Sequence, residues 1–204
     1  VQIDSSWLKK AFSGLSDQVA VTSGDGHGPS DASNPAAVLV PIVDHPSGLT
    51  ILFTKRSEFL RSHAGQISFP GGRAETSDQF PSGTALREAE EEIGLQKDSV
   101  EILGCLPDYR TISGYRVTPV VGLVDAAVGL QADSGEVAEI FEVPLSYLLD
   151  PVNQQRNTLI HGGSERHYFA LPFGKYYIWG ATAGMLMNLY QHLAPFLLLH
   201  GKGE

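Results

Sequence analysis

The segment from Ser82 to Gly94 restricts the fold of this chain more than any other. Each residue of an α-helix turns by about 100°, so Leu86, Ala89 and Ile93 fall on one stripe. Glu88, Glu91 and Glu92 gather elsewhere, within roughly 100° of arc. The spacing predicts a helix over 84–93, with Ser82 as its N-cap and Gly94 as its stop. Its apolar stripe must lie on another layer, and its carboxylates must face away from that layer. Like charges three and four residues apart destabilise an isolated helix by a few tenths of a kcal/mol per pair, and Arg87, four residues before Glu91, offers only partial compensation. On its own, an acid-rich helix face is a solvated surface. The same face is also a platform for a hard divalent cation such as Mg²⁺, which binds through oxygens.

The elements around this helix read as a mixed sheet in a layered α/β or α+β domain, not a doubly wound parallel one. Residues 36–43 and 49–54 are strand-like, and Pro46, Ser47 and Gly48 between them predict a hairpin. Further strands are expected over 100–106, 117–124 and 166–171, and a short helical piece over 144–149. A helix is expected over 179–193, ended by Pro195. Trp7, Leu8, Phe12 and Leu15 follow the spacing of a short amphipathic helix. Residues 22–35 have the Gly, Ser, Asp and Pro content of a flexible connection, in which His27 is not expected to bind a metal. Residues 57–83 are loop-like apart from an apolar patch at 67–69. The organisation is an N-terminal helix and connection over 1–35, then one domain over 36–204, with no internal repeat.

Length and composition limit what such a domain does. At 204 residues and 42% apolar content the chain can bury a core of ordinary size. No stretch approaches the roughly 20 apolar residues that span a bilayer, and 1–10 has no signal-peptide run, so no membrane partner is expected. Cys105, the one cysteine, reads as a buried structural thiol in a cytoplasmic protein. A net charge of -9 argues against a nucleic-acid partner. The charge is unevenly spread. From His45 to Ala74 a single acid, Glu58, faces Lys55, Arg56, Arg61 and Arg73, whereas from Glu75 to Asp108 nine acids face Arg87 and Lys97. An anionic substrate bridged to carboxylates by cations needs both blocks, although alternating blocks are also compatible with plain solvated surface.

Phe69, Pro70, Gly71 and Gly72 precede the helix, and paired glycines let backbone approach a ligand closely. Gly72 followed by Arg87-Glu88-Ala89-Glu90-Glu91-Glu92-Ile93-Gly94-Leu95 resembles the signature box of the Nudix family. The second half of the box matches at every defined position, with Ala89 as the apolar one. The first half departs: fourteen residues separate Gly72 from Arg87 where the box has thirteen, and Asp78 stands where a glutamate belongs. The resemblance implies the Nudix fold, a mixed sheet between helices, and hydrolysis of a nucleoside diphosphate linked to another group. It implies that Glu88, Glu91 and Glu92, with the Gly72 carbonyl, hold Mg²⁺ or Mn²⁺, and that Arg87 orients the carboxylates by salt bridge. The base is implied to be a glutamate of the box or of a later loop, where Glu136 is favoured over Glu139.

A second signature lies upstream. Leu52-Phe53-Thr54-Lys55-Arg56-Ser57, then Arg61, Gly65 and Phe69-Pro70-Gly71-Gly72, resembles the motif of the coenzyme A pyrophosphatase branch, as do residues 111–119 and 178–182. This implies a small nucleotide substrate of the coenzyme A type, with Lys55, Arg56, Arg61 and Gly71 in substrate binding. Coenzyme A carries a diphosphate and a further phosphate, so several positive groups are called for. Arg56 and Arg61 read alternatively as ion-pair partners of the glutamate helix, and His63 as a structural or solvent-facing residue. Other dinucleoside pyrophosphates, such as ADP-ribose or NADH, and a non-catalytic nucleotide sensor stay open, and a homodimer is compatible with the sequence.

Overall fold

In a computed structural model, which describes residues 3–13, 34–60, 62–161 and 164–200, the expected hairpin opens the domain. Strand β1 (Asn34–His45) turns at Pro46 and Ser47 into β2 (Gly48–Arg56), and the two pair antiparallel from His45 with Gly48 to Ile42 with Ile51. Beyond Ile51 the strands splay. The end of β2 pairs with β3 (Ile67–Ser68), and the start of β1 pairs with β4 (Gly71–Arg73). The apolar patch read at 67–69 thus belongs to a wedge of chain that fills the splay.

The rest of the sheet grows outward from the hairpin. After helix α2 (Ser82–Ile93) come β5 (Val100–Cys105), β6 (Tyr109–Arg110) and β7 (Tyr115–Asp125). Strand β7 runs parallel to β1 along its length, while β5 and β6 pair antiparallel with β7. Strand β8 (Val137–Pro144) pairs antiparallel with β2 and completes eight strands. One parallel pair among antiparallel ones makes the sheet mixed, as expected. A second, three-stranded antiparallel sheet contains β9 (Gln155–His161), β10 (Ser164–Phe173) and β11 (Tyr176–Trp179). Helices α1 (Ser5–Phe12), α3 (Leu145–Leu149) and α4 (Gly180–His200) complete the elements.

Alternation along β1 gives the sheet two apolar faces. Leu39 and Val43 pack with Ala85, Ala89 and Ile93 of α2. Val40 and Ile42 belong to the larger cluster with Leu8 and Phe12 of α1, Leu148 of α3, and Leu186 and Leu193 of α4.

Four details depart from the sequence reading. The N-cap of α2 is Pro81, not Ser82, because the preceding loop already forms the first turn, with Gly83 N–H donating to Gln79 and Ala85 N–H to Pro81. Helix α4 continues through Pro195 to His200, where Phe196 and Leu197 still pack on the main core. Cys105 is half-buried rather than buried. Strands β9 and β11 were not anticipated, for β9 is largely exposed and carries no apolar alternation. Arg61, Leu15 and the connection with His27 lie outside the described residues. Among those described, no helix is long and apolar enough to cross a membrane.

Candidate active site

The carboxylates of α2 do not share one solvent face. Glu92 is 4% exposed and lies among the buried residues of the helix with Ala85, Ala89 and Ile93. Glu88 is half-buried, and Glu90 and Glu91 are exposed. The cause is β4, whose two glycines bring backbone up to the helix. The Gly71 N–H donates to the Glu92 carboxylate, and a Cβ on Gly72 would collide with the Glu88 carboxylate. At Gly71 a Cβ would instead meet the β1 backbone, Ala37 O at 2.5 Å and Val38 Cα at 2.6 Å, so that glycine is required by the pairing of β4 with β1, whereas at Gly72 only the end of the Glu88 side chain would have to move.

Burial raises the proton affinity of Glu92 to about 8; the Arg56 guanidinium, 3.8 Å away, opposes this, and Glu88 and Glu136 add to it. Glu88 is likewise raised, first by burial and then by Glu91 and Glu136, against the pull of Arg87 at 3.0 Å. Glu136 therefore lies within electrostatic reach of both. Its loop is tied to the C-terminus of α2: Gln131 N–H donates to Ile93 and Asp133 N–H to Glu92, while the Asp133 carbonyl accepts from Glu136 and Val137. Glu139 is engaged elsewhere, with Lys175 at 2.8 Å and the Tyr176 hydroxyl at 2.6 Å.

Arg87 is fixed by Asp78, the residue at the off-pattern position of the box. Arg87 Nε and Nη2 donate to the two Asp78 oxygens, each at 3.1 Å, and Nη2 also donates to the Arg73 carbonyl at 2.9 Å. Asp78 accepts further from Thr84 Oγ1 and the Glu75 N–H, and these bonds, Arg87 first, hold its carboxyl well below the usual range. The remaining donor of Arg87, Nη1, spans Glu88 at 3.0 Å and Glu91 at 3.1 Å. The role of Asp78 could have been read from its position six after Gly72, where the shorter side chain stands in for a glutamate.

Beside the carboxylates opens a cleft of about 380 Å³, lined in part by Arg56, His63, Gln66, Gly71, Ile112 and Trp179. Arg56 both borders Glu92 and lines this cleft, and its Nε is buried with no hydrogen-bond partner. Lys55 does not line it. Lys55 pairs with Glu58 at 3.2 Å, and the register of β2 against β8 shifts between Lys55 and Arg56. His63 lines the cleft in a left-handed conformation, φ 57°, with Nδ1 2.9 Å from Gln66 Oε1.

A divalent cation fits this chemistry. Glu88, Glu92 and Glu136 disfavour one another's ionisation, a repulsion that a bound cation would relieve, and their carboxylate oxygens are hard donors. Among the described residues the side chains do not form a ready-made cage of three or more ligands. A cation that completes its shell with water and substrate phosphate oxygens, as Mg²⁺ does, suits such an arrangement.

A mixed sheet between helix layers, with a carboxylate helix set against a glycine pair at a strand splay, defines a Nudix-fold hydrolase. Comparison with known proteins agrees: the NUDIX domain matches residues 33–161. The chain belongs to the Nudix family and is a hydrolase acting on pyrophosphate bonds of nucleoside diphosphate derivatives. It is 42% identical over 164 residues to a protein named uncharacterized Nudix hydrolase NudL of Photorhabdus laumondii, covering 80% of this chain and 87% of that one. The NudL of Pectobacterium atrosepticum is 42% identical over 163 residues, 76% of this chain and 80% of its own length. Among solved structures, the Nudix hydrolase RenU of M. smegmatis matches with a TM-score of 0.52 at 20% identity, over 79% of this chain and 86% of that one. A MutT/nudix family protein of Listeria innocua matches with a TM-score of 0.50 at 18% identity, over 82% and 98%. These two structures show the shared fold alone. Nudix hydrolases generally use divalent metal ions.

Proposed function

We propose that the protein hydrolyses coenzyme A or an acyl-coenzyme A at its diphosphate, giving 3′,5′-ADP and 4′-phosphopantetheine or its acyl derivative. The observation that carries this reading is Arg56. It has a buried donor without a partner and stands between the carboxylates and a cleft large enough for an organic group, which is where a diphosphate bearing further substituents would lie. Glu88, Glu91 and Glu92, with the Gly72 carbonyl, are the residues that would hold Mg²⁺ or Mn²⁺. When bound, the cation neutralises phosphate charge and lowers the pKa of a coordinated water. Arg87, clamped by Asp78, holds Glu88 and Glu91 in place. Glu136, kept near Glu88 and Glu92 by its loop, takes the proton from the attacking water. Arg56 and the Gly71 backbone face the diphosphate, and Lys55 and Arg61 are further positive groups of the same basic segment that bind the substrate phosphates. The single thiol suits the reducing cytoplasm.

The test is incubation of the purified protein with Mg²⁺ or Mn²⁺ and, separately, coenzyme A, an acyl-coenzyme A, ADP-ribose and NADH, with products separated by chromatography. The expected products are 3′,5′-ADP and a phosphopantetheine. Turnover of ADP-ribose or NADH alone would overturn the substrate assignment. Binding of all four without turnover would leave the nucleotide-sensor reading in its place.

A further inference from the structure

We propose that Trp179 is the stacking platform for the purine base of the substrate, an inference that rests on the cleft beside the carboxylates being the substrate site. Trp179 ends β11, lines that cleft and is 38% exposed there, facing space shared with Arg56. An indole left open at the mouth of a charged cleft forgoes burial worth having, unless a ligand covers it.

Its orientation is set from behind. Trp179 is paired across the sheet with Ala170, a small and fully buried residue, and the ring of Tyr168 meets the indole at 5.7 Å and 71°. Tyr168 is itself hydrogen-bonded to Tyr177, which accepts from Asn157 Nδ2 at 3.3 Å. A T-shaped contact covers at most one indole face, so at least one face stays clear of Tyr168.

The platform is also held in a fixed relation to Arg56. Gly180, at φ 62°, turns the chain directly from Trp179 into α4, and Thr182 Oγ1 then donates to the Ile67 carbonyl at 3.0 Å. Ile67 belongs to β3, which pairs with β2 beside Arg56, and the Arg56 N–H donates to the Gln66 carbonyl at 2.9 Å. A rigid aromatic face costs little entropy to stack upon. A base has a π-face to offer it, whereas the flexible pantetheine arm has none. Gln66, in the same cleft with its Oε1 held by His63, offers its amide nitrogen to the edge of a base.

Indole fluorescence in the intact protein tests this, excited at the red edge where adenine does not absorb. The only other tryptophan, Trp7, is buried in the core under α1. AMP and 3′,5′-ADP are expected to quench, 4′-phosphopantetheine is not, and the quench is expected to vanish in Trp179→Phe. The same Phe variant should keep KM for the substrate within about threefold, whereas Trp179→Ala raises it about tenfold with little change in kcat. Quenching by phosphopantetheine in place of the adenine nucleotides, or no quenching by any of the three, would overturn the proposal. Equal quenching by AMP and 3′,5′-ADP, with no turnover of coenzyme A, would support the base platform while removing the coenzyme A assignment.

Discussion

Burying Glu92 beside Glu88 and Glu136 raises its proton affinity from the ordinary 4.5 to about 8. A carboxyl whose folded value is raised favours folding fully below its ordinary value, and that contribution is lost as pH rises through the folded one. The metal-free protein is therefore expected to lose thermal stability between about pH 4.5 and 8, and Glu92→Gln, scanned the same way, to lose distinctly less across that window. In the metal-loaded enzyme the same substitution should lower kcat by at least about a hundredfold, the scale of a lost transition-state charge contact. Asp78 works in the opposite sense. Its value is lowered, so its contribution is present above the ordinary carboxylate range and is lost only in acid. Asp78→Asn leaves part of the Arg87 fork unpaired, and denaturant titration at neutral pH should show a loss of about 1–3 kcal/mol. Activity should fall with it, because Arg87 then holds Glu88 and Glu91 less firmly. Sequence inspection assigned Glu92 an angle on a helical wheel. It could not supply the burial of Glu92, which comes from the packing of α2 against β1 and β4.

Helix α2 was legible because its period, its stop and its charge agree, and the hairpin of β1 and β2 because a turn separates two apolar runs. The C-terminal sheet was not. Strand β9 has no apolar alternation, its Leu159 and Ile160 being adjacent, and it is its pairing with β10 that makes it a strand. The end of α2 also carries a role that its sequence does not display. Gly94 closes the helix at φ 69°, its N–H donating to Ala89 and Glu90, while the next free carbonyls accept from the loop that leads to Glu136. Gly94→Ala forces a side chain into a left-handed backbone, with its Cβ 3.3 Å from the Gln131 nitrogen. The expected loss is about 1–2 kcal/mol in a urea titration. Amide exchange should quicken at Gln131 and Asp133, whose N–H groups bond to the helix end.

At the scale of the whole molecule, a chain of net charge -9 sets the buried Glu92 and the half-buried Glu88 beside a strand splay, with a cleft next to them. A ligand that binds only the folded state stabilises it by about 2.7 kcal/mol at a hundred times its dissociation constant. Mg²⁺ in such excess is expected to raise the melting midpoint of the wild-type protein, and chelation to reverse it. Glu92→Gln should show little shift, which separates site occupancy from general salt screening. The family was readable from the box alone, but the cleft beside it was not. Its walls come from Val38, Arg56, 63–71, 111–117 and 179–185, brought together by the pairing of β1 with β7 and by the docking of α4 and β11 on β3.

The wedge between β1 and β2 has a consequence for how this enzyme changes over evolutionary time. Ala74 N–H is tied to Pro35, and Gly83 N–H to Gln79, so the stretch between them is anchored at both ends. The loop meets α2 through Asp78, whose carboxylate bonds Thr84 and Arg87. An added residue there lengthens slack without moving the clamp. A change of loop length is thus expected to be tolerated provided one acidic side chain still reaches Arg87, so that the family's regular spacing can be lost while the clamp is kept.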